Sequence, residues 1–242
     1  MIWRTFLHVR FWLVLALASG QLTDNEISRI VDLHNQYRSS VTPPAANMQR
    51  MIWNKQLSQV AASYASQCTW GHNPKAFGVV GENLFMTLGP FVVDQPLGLW
   101  FAENSSYSFT SNTCADGKEC GHYTQMVWAD TYLVGCATQF CPDVSNFNAQ
   151  NATILVCNYH PPGNIMGQSP YTAGSSCSSC SPGTIGCLNN ACDRGTNLTL
   201  GLPANVTASL IYPYAGSSSG YLKPSAATLL LAGLTALYIR TT

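Results

Sequence analysis

The chain has 242 residues, with 11 basic and 11 acidic side chains, 46% hydrophobic residues and ten cysteines. Setting aside the four basic residues at its two ends, Arg4, Arg10, Lys223 and Arg240, leaves seven basic against 11 acidic, a mildly acidic remainder. That balance argues against nucleic acid and against electrostatic docking to anionic lipid, both of which need basic patches.

Residues 1–20 carry Arg4 and Arg10, then the apolar run Phe11 to Ala18, then small residues. Ala16-Leu17-Ala18 and Ala18-Ser19-Gly20 both suit a signal peptidase, and the run is shorter than the roughly 20 apolar residues of a bilayer span. The segment is read as a cleaved secretory signal rather than a retained anchor. Thr23-Asp24-Asn25-Glu26 then forms a capping box, in which the Thr hydroxyl accepts a first-turn amide and Glu26 reaches back. Ile27, Ile30, Val31, His34 and Tyr37 follow at helical spacing and predict a first helix with one buried stripe.

Asn54 opens a second helix through Leu57, Val60, Ala61, Tyr64, Ala65 and Cys68. Asp94 and Pro96 open a third, running through Trp100 toward Glu103, because proline in a first turn sacrifices no hydrogen bond. Tyr132 to Phe140 and Thr153 to Tyr159 are rich in β-branched and aromatic residues and predict paired antiparallel strands. Helices and strands without regular βα alternation give an α+β class.

Cys177, Cys180, Cys187 and Cys192 fall in a segment, 171–193, with few apolar residues, which must rely on two disulfides. Beyond it, 194–217 is read as a flexible glycosylated stalk of Ser, Thr and Gly. Small residues around Ser217, a polar spacer and the apolar run Ala226 to Ile239 match a glycosylphosphatidylinositol (GPI) attachment signal, with 218–242 removed. A short transmembrane tail is the alternative. Sequons at Asn104, Asn151, Asn197 and Asn205 agree with an extracellular, cell-surface address.

Four short motifs are the most informative feature. They are His34-Asn35-Gln36-Tyr37-Arg38, Gly81-Glu82-Asn83-Leu84, Gly121-His122-Tyr123-Thr124-Gln125-Met126-Val127-Trp128, and the stretch Ile154 to Asn164 containing Cys157-Asn158-Tyr159-His160. In this order they resemble the CAP superfamily of cysteine-rich secretory proteins, antigen 5 and pathogenesis-related proteins, over roughly residues 23–170. The peptidase inhibitor 16 type is the nearest likeness.

The resemblance implies a three-layer α-β-α sandwich over 21–170, followed by a hinge-like module. It implies disulfides Cys68–Cys141 and Cys136–Cys157, with Cys114 and Cys120 closing a local loop. Val80, not Cys, stands immediately before Gly81, and His160 stands where cysteine-rich secretory proteins carry another Cys, so the resemblance implies that their bridge there is absent. Their ion-channel-regulating domain does not follow the hinge.

By the same resemblance, His72, Glu82, Glu103 and His122 form a central tetrad. Two imidazoles backed by carboxylates suit a weak, solvent-accessible zinc site. A buried hydrogen-bond network that pins loops together explains the same residues, and a general base acting on bound water is a third option. No Gly-x-Ser-x-Gly elbow between a strand and a helix supports catalysis, the one such string, Gly216 to Gly220, being part of the Ser/Gly run at the expected attachment signal; no His-Glu-x-x-His helix does either, and no cofactor is required.

Tyr123 and Gln125 are candidate cleft-lining residues because they alternate with apolar neighbours. His34 and Trp128 are read as core, Asn35 as bonding nearby backbone, and Arg38 as pairing with a carboxylate. A sugar on Asn104 would stand near the cleft mouth. The functional expectation is an extracellular binding module and peptidase inhibitor. The alternatives are a sterol or lipid binder and, less favoured, a metal-dependent hydrolase.

Overall fold

The computed structural model describes residues 22–195 together with Leu202, Val206 and Leu210. The expected signal segment 1–20, the sequons Asn197 and Asn205, Ser217 and the tail 218–242 lie outside the described residues. Helix α1, Asp24–Ser39, starts at the expected capping box, with Thr23 accepting from the amide of Glu26. Its buried stripe is Ile30, Leu33, His34 and Arg38, while Ile27, Val31 and Tyr37 are half-buried. Helix α2, Lys55–Ala65, is capped by Asn54, whose side chain accepts from Leu57 N.

Strand β1, Ile52–Trp53, precedes α2. Strand β2, Gly81–Thr87, comes next, then helix α3, Asp94–Ala102, which continues into a 3-10 turn over Glu103–Ser106. A small hairpin pairs β3, Tyr107–Ser108, with β4, Thr113–Cys114. Helix α4 is the six-residue Gly121–Met126.

The long strands β5, Leu133–Val144, and β6, Ala149–His160, pair antiparallel as the sequence predicts, but extend further. The register passes from Cys141↔Ala152 to Asp143↔Gln150, leaving Pro142 and Asn151 outside the paired positions. Proline has no amide to donate, and Asn151 takes φ +53°, so pairing is interrupted there and resumes in the same register. The sheet order is β1-β5-β6-β2, which leaves β2 at an edge.

Alternation along β6 divides the layers. Leu155, Cys157 and Tyr159 pack with Ile30 and Leu33 of α1, Leu97 and Trp100 of α3 and Met126 of α4. On the other face, α2 contributes Leu57 and Val60, which pack with Leu133 of β5. Gly135 explains how closely α2 lies on the sheet: a Cβ there would collide with Leu57 Cβ and with the backbone of Asn54 and Ser58. The result is the expected α-β-α sandwich.

The start of the predicted flexible stalk is corrected. Leu202, Val206 and Leu210 are buried against Leu57, Val60, Ala76, Val80 and Leu133, and Leu202 N donates to Gln56 Oε1 at 2.7 Å. Val206 and Leu210 are helical and four residues apart, which puts these two side chains on one face. The surrounding Ser, Thr and Gly conceal so sparse a stripe in the sequence. Burying each such side chain contributes about 1.5–3 kcal/mol.

The hinge-like module is a hairpin of β7, Gly186–Leu188, and β8, Ala191–Asp193, closed by Cys177–Cys187 and Cys180–Cys192. It does not rely on disulfides alone. Cys192 N donates to Met48 O at 2.7 Å, Arg50 N donates to Cys192 O at 2.9 Å, and Ser179 N donates to Ala46 O at 2.9 Å. The other bridges are Cys68–Cys141, Cys114–Cys120 and Cys136–Cys157, the last joining directly paired positions of β5 and β6.

Candidate functional site

The tetrad resolves into two His–Glu pairs around the edge strand β2. Glu82 Oε1 is 3.0 Å from His72 Nδ1 and accepts from Asn73 N at 2.8 Å, while its Oε2 accepts from Asn158 Nδ2 at 3.3 Å. The hydrogen bond to Glu82 raises the pKa of His72, and partial burial opposes it. The Glu82 side chain is 5% exposed and that of His72 is 66% exposed, so the carboxylate is buried beneath an accessible ring.

The second pair lies on the opposite layer. Glu103, just past α3, puts Oε1 2.6 Å from His122 Nδ1 and accepts at Oε2 from the amides of His122 and Tyr123, each at 3.0 Å. Cys120, at the N-cap of α4, makes no side-chain cap bond. A short helix leaves its first amides without internal partners, and Glu103 satisfies two of them from a distant element. The imidazole of His122 stacks on Trp100, with centroids 5.9 Å apart and planes 9° apart.

Asn83 joins the two pairs. It follows Glu82 in β2, and its Nδ2 donates to His122 O at 3.1 Å and to the Tyr159 hydroxyl at 3.3 Å. Tyr159 in turn meets His34 Nε2 at 2.9 Å. One buried chain of bonds therefore runs through all four sequence motifs. His34 is core, as expected, and burial depresses its pKa to about 4.

A groove of about 310 Å³ lies over β2, lined by His122, Glu103, Trp100, Leu84, Trp70 and Phe147 among others. His72 and Glu82 are not in its lining. Tyr123 and Gln125 do not line it either, which corrects the sequence reading. Both lie in a helix, so they do not alternate inward and outward as strand residues would. Gln125 is 1% exposed and accepts from Gly163 N at 3.0 Å. A Cβ at Gly163 would approach Trp128 Cγ to 2.7 Å, so that close passage requires glycine.

Tyr123 lines a second cavity of about 250 Å³ instead, with Phe101, Asn104, Tyr107 and Phe109. Asn104 therefore borders this cavity, not the groove that Glu103 lines. Arg38 finds no carboxylate. Fully buried, it donates to the carbonyls of Gln49, Met126, Trp128, Ala129 and Thr131. Asn35 bonds backbone as expected, but across to Met51, donating at 2.9 Å and accepting at 2.7 Å.

For a divalent ion, the arrangement is half fitted. A neutral imidazole donating from Nδ1 to a carboxylate leaves its Nε2 lone pair for a metal, and carboxylates commonly orient metal-bound imidazoles in this way. A third protein ligand is not gathered. Among the described residues, the only three ligand atoms of His, Cys, Asp or Glu within 4.8 Å of one another are the sulfurs of Cys177, Cys180 and Cys192, all held in disulfides.

Comparison with known proteins agrees with this architecture. Bovine (Bos taurus) Peptidase inhibitor 16 is 45% identical over 177 residues, 72% of this chain and 38% of the relative. The chain thus spans well under half the length of the Peptidase inhibitor 16 relatives it matches. Human (Homo sapiens) GLIPR1-like protein 1 is 39% identical over 176 residues, 69% of this chain and 70% of the relative. A crystal structure of NaASP2 with Zn2+ superposes with a TM-score of 0.58 at 28% identity, covering 72% of this chain and 97% of that one. Residues 31–159 match the family CAP: Cysteine-rich secretory protein family. With its four motifs joined in one buried network and relatives this similar, the chain belongs to the cysteine-rich secretory protein, or CAP, family.

Proposed function

We propose that the protein is a secreted, GPI-anchored glycoprotein that acts by stoichiometric binding at the cell surface, with a peptidase as its target. The name of the Peptidase inhibitor 16 relatives suggests the target class. The observation that carries binding over turnover is the condition of the two carboxylates. Glu82 and Glu103 each accept three hydrogen bonds from protein donors, which leaves each about one acceptor site and lowers its strength as a general base. Beside them the groove exposes Leu99 and Phe147, at 54% and 50%, as apolar contact surface.

Titrating extracellular peptidases with the purified protein tests this reading. Inhibition that saturates at a fixed ratio, reverses on dilution and weakens in Leu99→Asp supports it. Turnover of substrate by the protein alone, lost in His122→Ala, supports a hydrolase instead. A sterol or other lipid recovered at near-equal molar amount from the purified protein supports the lipid-binding alternative. For the anchor, phosphatidylinositol-specific phospholipase C should release the protein from cells, and retention would count against it.

A second reading concerns metal. The anchored imidazoles of His72 and His122 favour weak zinc binding through Nε2, with Glu82 and Glu103 holding the rings. Calorimetric zinc titration checks it: saturable binding lost in folded His72→Ala and His122→Ala supports the site, and featureless heats oppose it.

A further inference from the structure

We propose that the second cavity is the seat of the protein's own carbohydrate: the first sugar of a glycan on Asn104 packs against Phe101, Tyr107 and Phe109 and stabilises this corner of the fold. The inference rests on the secretory reading above, because only a chain entering the secretory route acquires N-linked sugar.

Asn104 is exposed in the 3-10 turn Glu103–Ser106, and Asn104-Ser105-Ser106 is a complete acceptor sequence. The residue is also part of the cavity wall. Its neighbours there are the half-buried rings of Phe101, Tyr107 and Phe109, the buried ring of Tyr123, and Ser40 and Thr42 from the end of α1. No charged side chain lines the space.

That composition suits a pyranose. One face of a sugar ring presents C–H bonds, which sit favourably on the negative face of an aromatic ring, while its hydroxyl and acetamido groups bond to hydroxyls. The rings are held in place before any sugar arrives. Phe101 stacks on Tyr37 at 4.2 Å and meets Tyr123 at 5.7 Å, and Phe109 stacks on Tyr171 at 4.5 Å. The Tyr107 hydroxyl is fixed by a 2.6 Å bond to Asn112 Oδ1. A sugar joined to Asn104 is already tethered at the cavity, so seating it forfeits little translational freedom.

Asn151 supplies the internal control. It is an exposed sequon at the unpaired position of β6 opposite Pro142, and it is not in the lining of either cavity described above. The test uses full-length protein from secreting eukaryotic cells, comparing wild type with Asn104→Gln, Ser106→Ala and Asn151→Gln. Ser106→Ala abolishes the acceptor sequence while leaving Asn104 in place. Glycopeptide mass spectrometry reads occupancy, thermal unfolding reads stability, and amide exchange reads Tyr107 to Phe109.

We expect Asn104 to be occupied, and both variants that remove its sugar to lower Tm by about 2–4 °C, the shift of a modest stability loss in a domain of this size. They should also speed exchange at Tyr107 to Phe109, while Asn151→Gln does neither. Trimming wild type with an endoglycosidase that leaves one sugar should preserve the wild-type values. An unoccupied Asn104 beside an occupied Asn151 overturns the inference and spares the secretory reading. So does an occupied Asn104 whose loss matches Asn151→Gln in Tm and exchange. Absence of sugar at every sequon sinks both.

Discussion

Tyr159 donates its phenolic hydrogen to Nε2 of His34 across 2.9 Å, and the direction of that bond is set on the far side of the imidazole. There Nδ1 lies 2.8 Å from the carbonyl of Ile30, which can only accept, so the ring proton is on Nδ1 and Nε2 is the acceptor. His34 must therefore stay neutral. Burial, with the charge of Arg38, depresses its pKa to about 4, against about 6.5 in an unfolded chain.

For a base with a depressed folded pKa, the unfolded state takes up the proton first. Stability is then intact above about pH 6.5 and declines as pH falls through that value toward 4, by on the order of 3 kcal/mol from this group. Urea unfolding at pH 7 and pH 4.5 should show the decline in wild type. His34→Gln should be weaker at pH 7 and respond less to pH; equal pH responses would contradict this assignment.

Arg38 is 1% exposed and serves five backbone carbonyls, which a guanidinium can reach as a fork and an ammonium cannot. Arg38→Lys should destabilise by at least about 3 kcal/mol, since several buried acceptors lose their donors at about 1–3 kcal/mol each. The denaturant midpoint measures it. A loss below about 1 kcal/mol would mean that water replaces the fork.

Glu103 acts on α4 as an N-terminal cap supplied from another element. Glu103→Ala orphans two amides and an imidazole, so a loss of about 2–4 kcal/mol is expected, with faster amide exchange at His122 and Tyr123. Glu26→Ala, at the exposed capping box of α1, should lose no more than about 1 kcal/mol. Similar losses for the two variants would remove the distinction.

The bridges differ in the length of chain they close. Cys68–Cys141 spans 73 residues and Cys114–Cys120 spans 6. On chain entropy alone, double Cys→Ser replacement should cost about 4 kcal/mol for the long loop and about 2 kcal/mol for the short one. Equilibrium unfolding of the two variants tests the order, and a reversed order would point to packing around the short loop.

Where a signal is local, the sequence already carries the structure. Thr23 with Glu26 starts α1, Asn54 starts α2, and the β-branched runs mark the cores of β5 and β6. Two of the motifs contain Glu82 and His122, while His72 and Glu103 come only from the family resemblance, and His34 reads correctly as core from its place on the apolar stripe. What escapes is set by distant partners. Helix α4 is six residues long, too short for a helical period, and part of its capping comes from Glu103 nearly twenty residues earlier. Its Tyr123 and Gln125 therefore look like strand residues flanking a cleft. Arg38 is surrounded by carbonyls, whose positions no residue type announces. Leu202, Val206 and Leu210 are scattered among Gly, Pro, Ala, Asn, Thr and Ser, and only the apolar surface of α2 shows what they are for.

Those three side chains also give the domain a back and a front. Through them the chain is packed at Leu210 on the layer built on α2, behind the sheet. The layer of α1, α3 and α4, with Asn104 and its ring-lined hollow, is on the opposite side.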